Sequence, residues 1–231
     1  ETEFFSLIEQ RAKKRPLQYI LGEWPFLDFH LKMGEGVLIA REDTTVLVET
    51  AAKLIQTKQA TILDLCAGTG AVGLGIASLL STAHVTCVEK YAPAFAYLQQ
   101  NIALCKEQGI ENVVALQGDI LSEAFASAFQ DIDTIVSNPP YIETAVLPTL
   151  QEEVQKEPTT ALDGGEDGLL FYRAIADIWI PKIKTGGIVA VEIGEGQETD
   201  VARIFSNAGI EQIQFEKDSG NIIRVVAGIK K

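Results

Sequence analysis

Short apolar, β-branched segments alternate with longer amphipathic segments along most of the chain. From residue 60 onward the alternation has the periods of strands followed by helices, the order typical of a doubly wound α/β sheet. The predicted strands cover residues 61–65, 84–89, 113–117, 133–137 and 188–193. The predicted helices cover residues 71–80, 93–105, 168–183 and 199–207. The pattern therefore predicts a Rossmann-like fold with a largely parallel sheet.

Two further apolar segments close the chain. Residues 210–215 and 222–229 have strand character and are joined only by residues 216–221. A connection this short cannot make the crossover that parallel neighbours need. We therefore expect a seven-stranded sheet in which the last strand runs antiparallel to the others.

The N-terminal pattern differs from the rest. Residues 4–15 have one apolar helical face and end before Pro16, and residues 19–39 carry aromatic residues in short segments between glycine and aspartate, as in a β-hairpin. We predict a small helix-and-hairpin lobe over residues 1–45 and an α/β domain over residues 46–231. Glu1 stands where an initiator Met is expected, so we also expect that a segment of the natural protein precedes it.

Composition limits the kinds of function. The chain has 231 residues, 47% of them apolar, enough to bury the core of one large domain with a short appendage. Its net charge of −13 argues against gripping nucleic-acid backbones over a broad surface, because that binding depends on Lys and Arg. The sequence does not predict an oligomeric state.

The cysteines and the apolar segments point to a reducing compartment. Cys66, Cys87 and Cys105 have neither CxxC spacing nor a neighbouring histidine cluster, so we expect no disulfide framework and no metal site. No apolar segment approaches the ~18 residues that span a bilayer, and no basic and apolar leader opens the chain. We expect a cytoplasmic protein that does not bind membranes.

A glycine-rich junction joins the first predicted parallel strand to its helix. Its residues that we predict to contact a cofactor are Asp64, Cys66, Ala67, Gly68, Thr69 and Gly70. Glycines there let backbone approach a ligand, and the helix N-terminus presents N–H groups to it. Together with Gly73 the loop spells GxGxxG, a weak signal by itself, because such turns also serve helix–strand packing.

Acidic residues after the next two strands strengthen the prediction of a cofactor site. Glu89 ends the second strand 19 residues after Gly70, close to the interval at which a carboxylate accepts ribose hydroxyls. Asp119 follows the third strand and could accept a hydrogen bond from an adenine amino group, and Ile120 could cover the base. The alternative is that both acids are solvated residues at strand ends.

The segment Asn138, Pro139, Pro140 and Tyr141 follows the apolar strand that ends at residue 137. Proline removes N–H donors and leaves carbonyls exposed, so Asn138 and Pro139 offer two acceptors for one planar –NH2 group. Tyr141 can pack on the face of that group. The segment therefore predicts a pocket for an amide or an aromatic amine at the carboxyl edge of the sheet.

With these motifs the chain resembles the class I S-adenosylmethionine-dependent methyltransferases, and among them the HemK/PrmC family of protein-(glutamine-N5) methyltransferases. The resemblance extends over nearly the whole chain. Further matching positions are Gln18, Tyr19, Gly22, Phe26, Leu38, Ile39, Arg41, Asp43, Thr44, Glu157, Pro158, Ala161, Leu162, Gly164, Gly165, Asp167, Gly168, Leu169, Glu192, Ile193, Gly194, Gln197, Asp218, Gly220 and Arg224.

The resemblance implies a specific reaction. The family transfers a methyl group from S-adenosylmethionine to the glutamine of the GGQ motif in peptide chain release factors, leaving S-adenosylhomocysteine. Carried over by position, the cofactor contacts fall on Cys66–Gly70, Glu89, Asp119, Ile120 and Asn138. Catalysis falls on Asn138, Pro139 and Tyr141, and substrate binding on these residues and Pro140. Neither a metal nor a strong base is implied.

Some positions depart from the family pattern. Cys66 replaces the usual first glycine of the loop, Ala40 and Glu42 stand where the family has prolines, and Thr45 stands where it has glutamate. The helical N-terminal domain that helps the family grip its substrate is reduced here to about one helix. The acidic residues Glu152, Glu153 and Glu157 indicate a solvated surface.

Other functions stay open at this point. A ribosomal-protein glutamine methyltransferase is a close alternative, and an adenine-N6 methyltransferase of nucleic acids uses the same Asn-Pro-Pro-Tyr pocket. The net charge of −13 disfavours the latter. A nicotinamide-dependent oxidoreductase would explain GxGxxG but not the segment that begins at Asn138.

Overall fold

A computed structural model describes residues 2–231 of the protein. Glu1, where the predicted N-terminal lobe begins, lies outside the described residues. The helices are α1 (Thr2–Ala12), α2 (Leu17–Leu21), α3 (Thr44–Leu54), α4 (Ala71–Leu79), α5 (Ala92–Glu107), α6 (Glu123–Ala126), α7 (Leu170–Ala174) and α8 (Glu198–Asn207). The strands are β1 (Glu23–Phe26), β2 (Phe29–Lys32), β3 (Thr61–Leu65), β4 (His84–Glu89), β5 (Val113–Gln117), β6 (Ile132–Ser137), β7 (Ile183–Glu192), β8 (Ile210–Lys217) and β9 (Ile223–Lys230).

Seven strands form one sheet in the order β5-β4-β3-β6-β7-β9-β8. The five strands from β5 to β7 in this order run parallel, and β9 is antiparallel to both of its neighbours, which confirms the predicted antiparallel last strand. The chain order reverses between β3 and β6. In doubly wound sheets a crevice opens at this point, at the carboxyl ends of the strands.

The N-terminal lobe departs from the prediction at its start. Residues 17–21 form helix α2 rather than the beginning of the hairpin, because the Pro16 carbonyl accepts from the amides of Tyr19 and Ile20. Gly22 ends the helix in the left-handed region at φ 77°. The hairpin itself is β1 and β2, which pair antiparallel.

Helix α3 was not predicted, although its buried residues Thr44, Leu47, Val48 and Ala51 have helical spacing. Its β-branched residues have low helix propensity, and this masked the helical periodicity in the sequence.

The predicted helix over 168–183 is α7 followed by a π-helical turn and a 3₁₀ turn that reach residue 182. Strand β7 then begins at residue 183, earlier than predicted, and ends at 192 rather than 193.

The core lies on both faces of the sheet. One cluster combines the hairpin, α3, α4 and α5, and the other combines α6, α7 and α8 with the opposite strand faces. Successive strand residues alternate between them, as Val136 and Ile135 do. At Gly73 a Cβ would meet the Cys87 Sγ at 2.3 Å, so glycine is what allows α4 to lie against the sheet. Among the described residues, no helix is long and apolar enough to cross a membrane.

Candidate active site

A cavity opens where the carboxyl ends of β3, β4 and β6 meet the loop after β5. Most of the predicted site residues line it: Cys66, Ala67, Gly68, Thr69, Glu89, Asp119, Ile120, Asn138 and Pro140. Residues from four loops that are distant in sequence therefore meet in one place. This is the crevice that the change in strand order creates.

The cavity wall also includes segments to which the sequence analysis gave no role. They are residues 36–41, Thr44, Lys90, Tyr91, Pro158, Thr160, Ala161 and Phe171. Several of them belong to the segments that resemble the HemK/PrmC family. That similarity was the available signal, but it did not indicate which of those residues face the cavity.

Glu89, the last residue of β4, is hydrogen-bonded to the glycine loop. Its Oε2 accepts from the Gly68 amide at 2.9 Å and its Oε1 from the Tyr91 amide at 2.8 Å. Burial raises the pKa of this carboxyl, while the backbone hydrogen bonds oppose that rise. Each oxygen keeps a lone pair for another donor, so Glu89 can still accept hydrogen bonds from a ligand in the cavity.

Asp119 and Ile120 form a part of the cavity wall that hydrogen bonds fix in position. Asp119 accepts from the Lys90 ammonium at 2.8 Å and from the Leu121 amide at 3.0 Å. Burial raises the Asp119 pKa, but these hydrogen bonds and the charge of Lys90 lower it overall. The Ile120 carbonyl accepts from the Trp179 indole at 2.8 Å, which fixes the buried Ile120 against the second core cluster.

Four predicted residues do not line the cavity: Asp64, Gly70, Pro139 and Tyr141. Asp64 is fully buried, and its Oδ2 accepts from the Gly73 amide at 2.9 Å, so it supports the start of α4. Burial raises its pKa to about 7. Gly70 precedes α4 with a φ of 86°, where its left-handed backbone starts the helix.

Asn138 lines the cavity, and its side chain is partly buried. Its Nδ2 donates to the Thr44 Oγ1 at 3.3 Å, and Thr44 is buried at the start of α3. Pro139 and Pro140 are buried, and Pro140 reaches the wall. The contact with Thr44 thus connects the Asn138 loop to a helix that the sequence did not predict.

Similarity to known proteins agrees with this geometry. A family model described as "Conserved hypothetical protein 95" matches residues 43–171. The release factor glutamine methyltransferase of Thermodesulfovibrio yellowstonii is 40% identical over 225 residues, covering 96% of this chain and 78% of that protein. That of Clostridium botulinum is 37% identical over 229 residues, covering 98% and 80%. The chain belongs to the release factor glutamine methyltransferase family.

The family assignment confirms the resemblance to HemK/PrmC proteins and favours a methyltransferase over an oxidoreductase. A solved structure adds evidence on the fold alone: TYW2 from M. jannaschii in complex with AdoMet, with a TM-score of 0.56 and 14% identity. The alignment covers 90% of this chain and 84% of that one.

In this methyltransferase the Tyr141 backbone is clamped by residues from two later loops. Gln197 donates from Nε2 to the Tyr141 carbonyl at 3.0 Å. A Cβ on Gly164 would lie 2.7 Å from the Tyr141 Cα, so only glycine permits this approach. Burial raises the pKa of Tyr141 to about 12, and the neighbouring Glu192 adds to the rise. The Tyr141 hydroxyl therefore stays protonated. The contacts with Gln197 and Gly164 fix the position of the loop.

Glu157 corrects the expectation of a solvated acidic group. It is only 4% exposed, accepts from the Ile39 amide at 2.9 Å and pairs with Arg41. Burial raises its pKa, and Arg41 together with the Ile39 amide counteracts that rise. The contact joins two segments of the cavity wall, 36–41 and 158–161, which are far apart in sequence.

Proposed function

We propose that this protein transfers the methyl group of S-adenosylmethionine to the side-chain amide nitrogen of the glutamine in the GGQ motif of a peptide chain release factor. The observation that carries the proposal is the single cavity lined by both the glycine loop with Glu89 and the Asn138 loop. A methyl donor held by the first would lie beside an amide held by the second. The family of the chain supports the same reaction.

The cavity residues suit the cofactor. Glu89 supplies acceptors for ribose hydroxyls, Asp119 an acceptor for an amino group, and Ile120 an apolar contact for a base. A Cβ at Gly68 would touch only the Val37 side chain, at 3.9 Å, so a ligand can approach the loop backbone. When bound, S-adenosylmethionine supplies an electrophilic methyl group on a sulfonium.

Positioning is the main contribution of the protein. An amide nitrogen is a weak nucleophile because its lone pair is delocalised into the carbonyl. The Asn138 side-chain carbonyl, which lines the cavity, and the backbone carbonyl of the adjacent Pro139, which does not line it, are proposed to accept the two hydrogens of the substrate –NH2. They would orient the nitrogen and stabilise the positive charge that develops on it.

Pro140 and Tyr141 are proposed to complete the substrate site. Pro140 forms part of the cavity wall. Tyr141 is partly buried but does not line the cavity, so we assign its contact with the substrate amide to the mouth rather than the interior. Its clamped backbone would keep the adjacent acceptors in place.

The test is methyl transfer from labelled S-adenosylmethionine to a release factor and to its variant with alanine in place of the GGQ glutamine. We expect label on the first protein and none on the second. A ribosomal protein and an adenine-containing oligonucleotide serve as the alternative substrates. Label on either of these but not on the release factor would contradict the proposal, as would no label on any of them.

A further inference from the structure

Glu192 is a buried carboxylate beside the proposed catalytic loop. It ends β7, and in the parallel pairing of β6 with β7 Ser137 is opposite Val191. The next residues along the two strands are Asn138 and Glu192. Val136 and Ala190, two positions earlier, belong to the core cluster that includes α3. Because strand residues alternate between faces, Asn138 and Glu192 both lie toward α3.

A hydrogen-bonded group connects these residues. Asn138 donates from Nδ2 to the Thr44 hydroxyl at 3.3 Å. The Glu192 carboxyl lies close enough to both side chains for each of them to lower its pKa. A carboxylate only accepts, so the Asn138 atom that faces Glu192 is its –NH2 nitrogen. With one amide hydrogen donated to Thr44 and the –NH2 group turned toward Glu192, Oδ1 is the part of the Asn138 amide left to meet a substrate, and it is an acceptor.

Glu192 is costly as a purely structural residue. It is 3% exposed, and among the described residues its Oε2 has no hydrogen-bond partner. Arg224 does not neutralise it by direct pairing, because the Arg224 guanidinium bonds to Asp218 at 2.8 Å and lies 3.5 Å from Asp43. An incompletely paired buried carboxylate destabilises a fold, so its position beside Asn138 calls for a functional reason.

We propose that Glu192 is a positioning residue that acts through Asn138 and Thr44. It holds the Asn138 amide in the one orientation that presents Oδ1 to the substrate –NH2. Without it the amide can rotate and present its own –NH2, which repels the substrate. The proposal rests on the proposed function, since it assumes an amine-type hydrogen-bond donor as the substrate.

Ionisation of Glu192 gives the proposal a specific signature. Burial raises the pKa of Glu192 to about 7. The nearby Thr44 and Asn138 side chains and the charge of Arg224 oppose the rise, and the charge of Asp43 adds to it. The other ionisable groups near it are Tyr141 on the catalytic loop and Tyr172 on α7, whose hydroxyl donates to the Glu192 carbonyl. Both tyrosines stay protonated at neutral pH because burial raises their pKa values. Only the ionised carboxylate accepts from both donors without competing as a donor itself.

The kinetic test compares Glu192→Gln and Thr44→Val with Glu195→Gln, an exposed control on the following loop. We expect kcat to fall about 10- to 100-fold in the first two and to stay unchanged in the control. Binding of S-adenosylhomocysteine, measured by calorimetry, should change little and confirms folding. In the wild type kcat should rise through about pH 7, and in Glu192→Gln this rise should be lost. Wild-type kcat and a wild-type pH profile in Glu192→Gln would overturn the proposal.

A second measurement does not depend on the substrate. In ¹⁵N-labelled protein, the side-chain –NH2 signal of Asn138, assigned by its loss in Asn138→Ala, should shift with a midpoint near pH 7. The shift should be absent in Glu192→Gln. If the wild type fails to methylate a release factor, the proposed function falls, and this titration still decides the role of Glu192. A signal that does not move with pH would overturn it.

Discussion

Cys66 is a non-glycine residue in a backbone conformation that favours glycine. It occupies the left-handed backbone region at φ 62°, where the HemK/PrmC pattern has glycine. For a residue with a side chain this conformation costs on the order of 1–2 kcal/mol. The neighbouring Ala67 amide donates to the Val88 carbonyl at 3.0 Å and Gly68 donates to Glu89, and these bonds hold the loop in place. The loop thus accommodates Cys66 in the left-handed region where glycine is usual.

At the same scale, Asn138→Ala tests the proposed acceptor. The substitution removes Oδ1 and leaves the Thr44 hydroxyl without its donor. We expect kcat to fall by about 10²- to 10³-fold, since an acceptor that stabilises developing charge is lost. The dissociation constant of S-adenosylhomocysteine should change by no more than about tenfold, equivalent to 1.4 kcal/mol. Turnover equal to the wild type would exclude Asn138 from catalysis.

Among the elements, the loop after β6 and the loop over residues 162–168 depend on each other. The Ile142 amide donates to the Leu162 carbonyl at 2.9 Å, and the Gly164 amide donates to the Ile142 carbonyl at 2.8 Å. Gln197, at the start of α8, adds the bond to the Tyr141 carbonyl. The loop after β6 thus resembles a short strand that is paired along one side.

Gly164→Ala is the prediction for this pair of loops. The new Cβ would lie 2.7 Å from the Tyr141 Cα and 2.9 Å from Gly168, so the loop after β6 must move. We expect a loss of stability of about 1–3 kcal/mol from overpacking. We also expect kcat to fall more than the affinity for the cofactor, because most of the proposed cofactor contacts lie on other loops. Denaturant unfolding and steady-state kinetics measure the two effects, and an unchanged kcat would show that the loop tolerates the shift.

Helix α2 in the N-terminal lobe is hydrogen-bonded to the cavity wall. The Tyr19 hydroxyl donates to the Val37 carbonyl at 2.5 Å, and Val37 lines the cavity. The hairpin residues Phe26 and Phe29 belong to the same core cluster as α3 and α4. The division into residues 1–45 and 46–231 stays a prediction, but the cavity draws residues from both ranges.

Across the whole molecule, stability should depend on pH because two carboxyls are buried without full pairing. Burial raises the pKa of Asp64 and of Glu192 to about 7, from 3.8 and 4.5. At pH values between the ordinary and the raised pKa, each carboxyl keeps in the folded protein a proton that it has released in the unfolded chain. The free energy of unfolding therefore falls as pH rises from about 4 to about 7 and levels off above that. The growing negative charge of an acidic chain acts in the same direction.

Urea unfolding at about pH 5.5 and pH 8 measures this difference, to which each carboxyl contributes up to about 2 kcal/mol. Asp64→Asn and Glu192→Gln should each reduce it, and the exposed Glu195→Gln should not. A protein more stable at pH 8 than at pH 5.5 would contradict the prediction. The Glu192→Gln variant should thus be more stable and less active at pH 8, which is expected where a strained site serves function.

The sequence by itself determined the order of strands and helices from residue 60, the antiparallel last strand, and the loops at Cys66–Gly70, Glu89, Asp119 and Asn138. These are local features, because side-chain periodicity, glycine turns and prolines act within a few residues. Only the tertiary structure decided which of them share the cavity, that Glu157 is buried beside Arg41, and that Glu192 and Thr44 lie against Asn138. Such contacts depend on strand register and on the packing of distant segments, which no local pattern records.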